Sequence, residues 1–302
     1  IPHHCQLMQS QQTNTTHADS IHMTIIADSG STKTEWIIGE LSVNTKGINP
    51  VRDSKEEILE VIGTELMPQI LSALHTFSQE EITDIHFYGA GCIEPFLHNV
   101  RFALAELFPY AQIQVHSDLL GAARALCGKE EGIACILGTG SNSCLCKEGE
   151  IIQNTSPLGY ILGDEGSGAV LGRTLLSEML KGNLKDLWEP FKEHFGLEIS
   201  DIINKVYRQP QANRFLASLV PFIKANSWHP AIQDMLIGEF TRFLQRNVIP
   251  YDRPDLPINF VGGVANNFTE EITAACKACG LKIGKIIARP AIEMQKYHFY
   301  VI

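Results

Sequence analysis

The chain has 302 residues, of which 44% are hydrophobic and 19% are charged, a composition that excludes disordered and collagen-like chains. Asp and Glu number 34 against 24 Lys and Arg, which gives a net charge of −10 and argues against binding to nucleic acid or to an anionic membrane. The length suits one large domain or two ordinary ones, and no apolar run approaches the roughly 18 residues needed to cross a bilayer.

Residues 1–22 are predicted to be a non-native or disordered tail. This segment contains no Lys or Arg and lacks the basic and apolar regions of a secretory signal. Met23 is followed at once by an apolar strand, so we expect the fold to begin there. The eight cysteines are scattered through segments with a core pattern, which predicts reduced thiols in a cytoplasmic protein.

The chain from Met23 onward alternates strands and helices. The opening pattern is a strand at residues 25–27, a polar turn at residues 28–34 and a second strand at residues 35–41. A helical period follows at residues 55–77, and Ser54 is a favourable N-cap for it. The next predicted elements are strands at residues 84–88 and 112–116 and helices at residues 95–108 and 119–127.

The opening motif then recurs, with strands at residues 133–137 and 143–147 around a glycine turn. An offset of 110 residues aligns Gly30 with Gly140, Ser31 with Ser141, and Asp28 with Gly138. Chance likeness of two small hairpins is the alternative, but the matching order of elements favours a duplicated α/β fold with a cleft between its halves. Helices at residues 166–181, 213–226, 231–248 and 269–279 and a strand at residues 258–261 complete the prediction.

Two turns have the composition of anion-binding loops. Glycines and hydroxyl residues at residues 28–34 and 138–141 let backbone N–H groups approach a phosphate, and Asp28 at a strand end suits a hydrated Mg²⁺. Ordinary hairpin turns are the alternative for both, and Gly262-Gly263 after a strand is a weaker signal still. The P-loop, dinucleotide-binding and nucleophile-elbow motifs are absent from the sequence, which argues against those enzyme classes.

In their order, these turns resemble those of the BadF/BadG/BcrA/BcrD-type ATPase family, in particular its N-acetylglucosamine kinase-like branch. The resemblance covers Met23 to the C-terminus and rests on the segments 28–34, 117–118, 137–142, 163–168 and 262–266. It implies the two-lobed actin-like (ribonuclease H-like) α/β fold, with duplicated mixed sheets and with ATP and Mg²⁺ in the cleft between the lobes. The lobes are expected at residues 23–117, rejoined by a C-terminal segment at about 289–302, and at residues 118–288.

The resemblance also assigns roles to individual residues. Asp118 matches the catalytic base, and Asp28 the residue near Mg²⁺, which it contacts through water. The nucleotide-binding positions are Asp28, Ser29, Gly30, Ser31, Thr32, Lys33, Gly138, Thr139, Gly140, Ser141, Gly262, Gly263 and Asn266. The sugar-binding positions are Asn49, Asn142, Gly159, Tyr160 and Asp164. Ser29 and Ser31 stand where the family more often has glycine, and Tyr160 lies in a segment where this branch often has tryptophan.

Elementary chemistry is consistent with these roles. Phosphoryl transfer to an alcohol needs a carboxylate that accepts the hydroxyl proton, together with amide donors and a metal ion around the phosphate. The alternative for Asp118 is N-capping of the following helix, although Ser117 could cap while Asp118 faces the cleft. For Asp164, the alternative is a favourable charge near the start of a helix.

The sequence therefore predicts a cytoplasmic, ATP-dependent kinase that phosphorylates an amino sugar such as N-acetylglucosamine or glucosamine. The resemblance leaves a homodimer open. The chief alternative is the other branch of the family, ATPases that activate 2-hydroxyacyl-CoA dehydratases or benzoyl-CoA reductases through a [4Fe–4S] cluster shared by two subunits. That branch has a cysteine just before the second glycine turn, where this chain has Ile136 or Leu137. A non-catalytic sugar sensor is disfavoured because Asp118 and Asp164 are both present.

Overall fold

The computed structural model describes residues 22–299, so that all of the predicted tail except His22 lies outside the described residues. Two five-stranded mixed sheets form the framework. The first sheet contains β1 (Met23–Ser29), β2 (Lys33–Ile38), β3 (Leu41–Lys46), β4 (Ile82–Gly89) and β5 (Gln112–Ser117). The second contains β6 (Gly132–Leu137), β7 (Ser141–Lys147), β8 (Glu150–Gln153), β9 (Ile258–Val261) and β10 (Ile283–Ile287).

The two sheets share one topology, which confirms the predicted duplication. Their strand orders are β3-β2-β1-β4-β5 and β8-β7-β6-β9-β10. In each, the opening strand pairs antiparallel with the next strand and parallel with a later one. Ser29 pairs with Thr34 and Leu137 with Ser141, so the first turn is one residue longer than the second. The halves are therefore offset by 108 residues (137 minus 29) at the ends of β1 and β6, not by 110.

Fourteen α-helical segments cover the sheets within residues 22–299. They are α1 (Lys55–Val61), α2 (Met67–Ala73), α3 (Leu97–Leu107), α4 (Asp118–Cys127), α5 (Gly159–Leu162), α6 (Gly168–Lys181), α7 (Trp188–Phe195), α8 (Ile199–Tyr207), α9 (Ala212–Ala217), α10 (Val220–Ala225), α11 (Pro230–Phe243), α12 (Gly263–Asn267), α13 (Thr269–Ala278) and α14 (Pro290–Phe299). A π-helical segment joins α1 to α2 (Ile62–Leu66) and another extends α11 (Leu244–Val248). Short 3₁₀ turns occur at Gln79–Glu81, Lys185–Leu187 and Ile249–Tyr251.

Three strands escape the sequence prediction, and all three lie at sheet edges: β3, β8 and β10. β3 alternates buried residues with exposed polar ones, β8 has four residues, and β10 contains Gly284 and Lys285. Edge strands of this kind are short and carry charges that prevent pairing with other chains, so their hydrophobic signal is weak. The predicted strand at residues 35–41 in fact ends at Ile38, because Gly39 turns the chain with a φ of 59°.

Each sheet has its own core. Trp36, Phe87 and Phe108 are fully buried between the first sheet and its helices, and Phe240 and Phe260 belong to a larger cluster in the second half. α14 packs on α4 and on β1 and β2, while α4 contacts strands of both sheets. The lobe boundaries at residues 117 and 288 stay a prediction. No helix within residues 22–299 is long and apolar enough to span a membrane.

Candidate active site

A cavity of about 630 Å³ lies between the two sheets and is lined by both glycine turns. It brings together most of the residues that the sequence singles out. Those on its wall are Asp28, Ser29, Gly30, Ser31, Thr32, Lys33, Asn49, Asp118, Gly138, Thr139, Gly140, Ser141, Asn142, Gly262 and Gly263. Since these residues come from both halves of the chain, we refer to the cavity as the cleft.

The two serines of the first turn differ in what their hydroxyl groups contact. Ser29 is fully buried, and its Oγ shares a hydrogen bond with Thr34 Oγ1 (2.7 Å) and accepts one from Ile48 N (3.0 Å). Its hydroxyl therefore supports the turn rather than a ligand. Ser31 Oγ instead shares a 2.7 Å hydrogen bond with Thr139 Oγ1, which links the first turn directly to the second.

Four backbone amides in these turns are free. Within the described residues, the N–H groups of Ser31, Thr32, Thr139 and Gly140 donate no hydrogen bond, whereas Gly30 and Gly138 use theirs to close the turns. Successive unpaired amides around a concave surface form an anion-binding site. The geometry of both turns thus suits the phosphate groups of a nucleotide.

The second turn is held against the N-terminus of α6. Gly168 N donates to Gly138 O at 2.7 Å, and Ala169 N donates to Thr139 O at 3.1 Å. The helix itself is capped by the buried Ser167, whose Oγ accepts from Val170 N. The carbonyl groups of the turn thereby accept hydrogen bonds from two N–H groups at the start of α6. These bonds fix the position of the turn relative to the second sheet.

Asp118 is the first residue of α4, at the carboxyl end of β5. Ser117 is the N-cap, since its Oγ accepts from Leu120 N at 3.2 Å. Capping therefore does not require the Asp118 side chain, and that carboxyl group lies on the cleft wall. Burial raises the pKa of Asp118 above its ordinary value, although the amides of Asp118 and Leu119 oppose the change.

Asp28 lies on the same wall. Burial, reinforced by the negative charges of Asp118 and Glu35, raises its pKa to about 7, with Lys33 acting in the opposite direction. A carboxyl group whose pKa is raised by neighbouring negative charges lies in an environment that a divalent cation would neutralise. Residues 22–299 hold no group of three or more His, Cys, Asp or Glu side chains arranged around a metal ion. A magnesium ion beside Asp28 would therefore also need water and phosphate oxygens as ligands.

Asp164, Gly159 and Tyr160 do not lie on the cleft wall. The Asp164 carboxylate lies behind the second turn, where its Oδ1 accepts from Ser141 N at 3.3 Å. Burial raises the pKa of Asp164 to about 6. Gly159 and Tyr160 belong to the short helix α5, and the Tyr160 carbonyl accepts from Arg173. Of these three residues, only Asp164 has a hydrogen bond with a cleft residue in the described structure.

The two predicted asparagines do line the cleft. Asn49 is held by two residues that follow it in the chain, since its N–H donates to Asp53 Oδ2 (2.8 Å) and its Oδ1 accepts from Val51 N (3.0 Å). The Asn142 Oδ1 accepts from Asn154 Nδ2 and from Ser143 N, both at 2.9 Å. The Asn142 side-chain NH₂ group makes no hydrogen bond in the described structure and is available to a ligand.

At the far end of the cleft, Asn267 lies on the wall and Asn266 does not. Gly262 has a φ of 115°, and a side chain there would meet the Leu137 carbonyl at 2.3 Å, so only glycine fits. Sequence motifs did not indicate several lining residues from distant elements, among them Asn213, Pro290 and Met294. They belong to no recognisable motif, and packing alone brings them to the cleft.

The cysteines of the second half are core residues, as predicted. Cys135, Cys144, Cys146 and Cys276 are buried, and Cys279 is half-buried. Burial raises the pKa of Cys135 and of Cys276, so that both thiols stay protonated. None of these five cysteines lines the cleft.

Comparisons with known proteins place this geometry among solved structures, although no model of a protein family and no curated protein matches the chain. A candidate N-acetylglucosamine kinase from Porphyromonas gingivalis is 45% identical, with a TM-score of 0.88, over 92% of this chain and 99% of that one. A second candidate N-acetylglucosamine kinase, from Chromobacterium violaceum, is 18% identical with a TM-score of 0.71, over 92% and 99%. MreB 5 of Spiroplasma citri, solved with AMPPNP, is 12% identical with a TM-score of 0.52, over 91% and 95%. Together they confirm the two-lobed actin-like fold.

Proposed function

The chain belongs to the N-acetylglucosamine kinase-like branch of the BadF/BadG/BcrA/BcrD-type ATPase family, and from this premise we propose that it transfers a phosphoryl group from ATP to a hydroxyl group of an amino sugar. N-acetylglucosamine and glucosamine are the substrates that we expect. One observation carries the proposal: Asp118 and two turns with free backbone amides line the same cleft. A proton acceptor and phosphate donors on one cleft are what phosphoryl transfer to an alcohol requires.

The nucleotide would occupy the side of the cleft formed by the turns. The free amides of the turns at residues 28–33 and 138–141 would hold the phosphates, and Gly262, Gly263 and Asn267 would border the adenosine. Asn266, which lies beside this wall, is a weaker candidate than Asn267. Mg²⁺, when bound, neutralises charge that develops on the transferred phosphoryl group. Asp28 would hold it, through water.

Asp118 would accept the proton of the attacking hydroxyl group. Its raised pKa brings the carboxylate closer to the operating pH, where a general base is more effective. Because Ser117 caps α4, the Asp118 carboxylate is not needed for the helix. Asn49 and Asn142 would orient the sugar from the two halves of the cleft. Asp164, which lies behind the second turn, would accept a hydrogen bond from a sugar hydroxyl group beside them.

We further propose that the enzyme works in the cytoplasm. The buried cysteines are all free thiols in the described structure, as is usual in a reducing compartment. A homodimer, which the family resemblance suggests, is also part of the proposal. Size-exclusion chromatography with light scattering tests it directly.

The function is tested by measuring ADP release with a panel of amino sugars, acetylated amino sugars and plain hexoses. The informative variant is Asp118→Asn, which keeps the size of the side chain but accepts no proton. We expect its kcat to fall by about 10²–10⁴-fold while the dissociation constants for ATP and sugar stay near those of the parent. Asp234→Asn, on the exposed face of α11, is the matched control.

Two outcomes would contradict the proposal. ATP hydrolysis that no sugar stimulates would favour the activator-ATPase alternative. Turnover of Asp118→Asn within threefold of the parent would remove Asp118 from the mechanism. A circular dichroism spectrum and a thermal melt of the same preparation show whether the variant is folded, so that loss of rate is not mistaken for loss of structure.

A further inference from the structure

A second cavity of about 110 Å³ lies in the second half of the chain and shares no lining residue with the cleft. Three arginines line it: Arg173 from α6, Arg242 from α11, and Arg246 from the π-helical segment that follows α11. Glu165 and Glu239 complete its polar wall. We call this cavity the arginine pocket. Its three arginines belong to none of the sequence motifs described above, and the proposed reaction does not use them.

Most N–H donors in the arginine pocket are unfilled. Each guanidinium carries five donors. Arg173 donates to the Tyr160 carbonyl, and Arg246 donates to Glu165 Oε1 at 3.0 Å. Arg242 makes no hydrogen bond in the described structure, and its only ionic contact is with Glu239 Oε1 at 3.7 Å. Three guanidinium groups therefore line one small cavity, and most of their N–H donors have no partner in the described structure.

The charge of the pocket is positive. Three guanidinium groups face two carboxyl groups, of which Glu165 is hydrogen-bonded to both Arg246 and Asn247. The Glu239 side chain is only 9% exposed, and its Oε2 is buried without a hydrogen-bond partner. Burial raises the pKa of Glu239, which favours the uncharged form that can donate a hydrogen bond. The local positive charge of this pocket contrasts with the net charge of −10 of the whole chain.

We infer that the arginine pocket binds a small oxyanion, and specifically a phosphate group, either as inorganic phosphate or as part of a sugar phosphate. Guanidinium groups match the geometry of phosphate oxygens and form charge-assisted hydrogen bonds with them. The volume accommodates the phosphate group alone, so the rest of a larger ligand would lie outside, against the exposed side chains of Ile161 and Leu162.

Such a ligand would also act on the active site. Gly163 and Glu165 line the arginine pocket, and Asp164 between them contacts Ser141 N in the second turn. Asp164 has a φ of 51°, in the left-handed region, which is uncommon for non-glycine residues although aspartate adopts it more readily than most. An anion that fixes residues 163 and 165 would steady Asp164, and we expect it to lower the KM for the sugar. This coupling rests on the proposed function, whereas the binding site does not.

Binding is tested by isothermal titration calorimetry with inorganic phosphate, in the presence of saturating AMPPNP and Mg²⁺ to occupy the cleft. The variant is Arg242→Gln, chosen because Arg242 has no hydrogen bond whose loss would disturb the fold. Arg208→Gln, an exposed arginine outside the pocket, is the matched control. We expect one phosphate to bind to the parent and to Arg208→Gln, and at least tenfold weaker binding to Arg242→Gln. A second titration with a sugar phosphate shows which source binds more tightly.

If the parent binds neither phosphate nor the sugar phosphate, or if the parent and Arg242→Gln bind with equal affinity, the proposed binding site is wrong. The coupling has its own measurement: phosphate should lower the sugar KM of the parent and of Arg208→Gln but not that of Arg242→Gln. An unchanged KM in the parent would overturn the coupling. The calorimetry requires no turnover, so a chain that phosphorylates no sugar would refute the proposed function and leave the test of the pocket intact.

Discussion

The carboxylate of Asp164 lies directly against Gly140. A Cβ atom on Gly140 would be 3.2 Å from Asp164 Oδ2, closer than ordinary van der Waals contact, and the neighbouring Ser141 N already donates to Oδ1 of the same carboxylate. The turn that we propose binds phosphate and the predicted sugar-binding residue are thus in contact. The absence of a side chain at residue 140 makes this contact possible. We therefore expect a substitution at Gly140 to move the Asp164 carboxylate, and a substitution at Asp164 to alter the turn around Gly140.

Gly140→Val is expected to weaken the binding of both ATP and sugar. The branched side chain would displace the Asp164 carboxylate and block the approach of a phosphate to the free amides of the turn. We expect both dissociation constants to rise by at least about tenfold, or 1.4 kcal/mol. Calorimetry on the folded variant measures them. Gly238→Val, in open space on α11, is the control, and ATP affinity equal to that of the parent would mean that residues 138–141 are only a hairpin turn.

Asp164→Ala is expected to impair sugar recognition more than nucleotide binding. The substitution leaves Ser141 N without its partner and removes an acceptor that we assign to the sugar. A hydrogen-bonding group left unpaired in a closed site costs roughly 1–3 kcal/mol. The KM values for a panel of sugars should rise and converge, while the KM for ATP should change less. Sugar specificity identical to that of the parent would show that Asp164 only shapes the start of α6.

Asp28→Asn is expected to stabilise the nucleotide-free protein in a pH-dependent way. The folded-state pKa of Asp28, about 7, exceeds the ordinary value of 3.8. Below pH 3.8 this carboxyl group is protonated in both the folded and the unfolded protein, and the fold keeps its full free energy of unfolding. As the pH rises from 3.8 through about 7, the free energy of unfolding falls, because the unfolded chain releases the proton more readily than the folded one. Three pKa units correspond to about 4 kcal/mol, which is the upper limit of the expected difference in the free energy of unfolding.

The measurement is urea unfolding of the parent and of Asp28→Asn at pH 5 and pH 8, without Mg²⁺. The advantage of the variant should be larger at pH 8, and Mg²⁺ at pH 8 should stabilise only the parent. An equal difference at the two pH values would show that Asp28 is not the group that titrates. Asp234→Asn again serves as the control for loss of a negative charge.

His298→Gln is expected to make the protein less sensitive to acid. The His298 ring stacks on His86 with centroids 3.6 Å apart, and its Nε2 is hydrogen-bonded to the Tyr88 hydroxyl at 2.7 Å. Burial, together with His86, Arg124 and His116, lowers the pKa of His298 to about 3. The neutral ring is favoured in the fold, so stability is lost as the pH falls from about 6.5 toward 3.

The melting temperature should consequently decrease less between pH 7 and pH 4.5 in His298→Gln than in the parent. This difference is expected even though the variant lacks the hydrogen bond between residue 298 and the Tyr88 hydroxyl group. Burial lowers the pKa of His86 and of His116 as well, so part of the sensitivity to acid should remain. His75→Gln, at an exposed position, should behave as the parent does. A parallel shift of both melting temperatures in His298→Gln would contradict the assignment.

Local features of the sequence determined much of the structure. Ser54 accepts from Glu57 N and its own N–H is held by the Glu57 carboxylate, so the start of α1 is a property of four consecutive residues. The apolar strands beside the glycine turns are equally local, because period and turn chemistry act over a few residues. The two turns and Ser117-Asp118 are continuous motifs, and the duplicated topology followed from their order along the chain.

Only the tertiary structure determined which residues of these motifs come into contact with one another. The hydrogen bond between Ser31 and Thr139 joins residues 108 apart, and no local pattern encodes it. Asn267 rather than Asn266 reaches the cleft because the rotation of α12 is set by packing, and β3, β8 and β10 form because neighbouring strands supply hydrogen-bond partners to weakly apolar segments. The arginine pocket likewise depends on the approach of α6 to α11. Sequence determines elements through short-range interactions, whereas sites between elements depend on the long-range packing of surfaces whose partners are far apart in the chain.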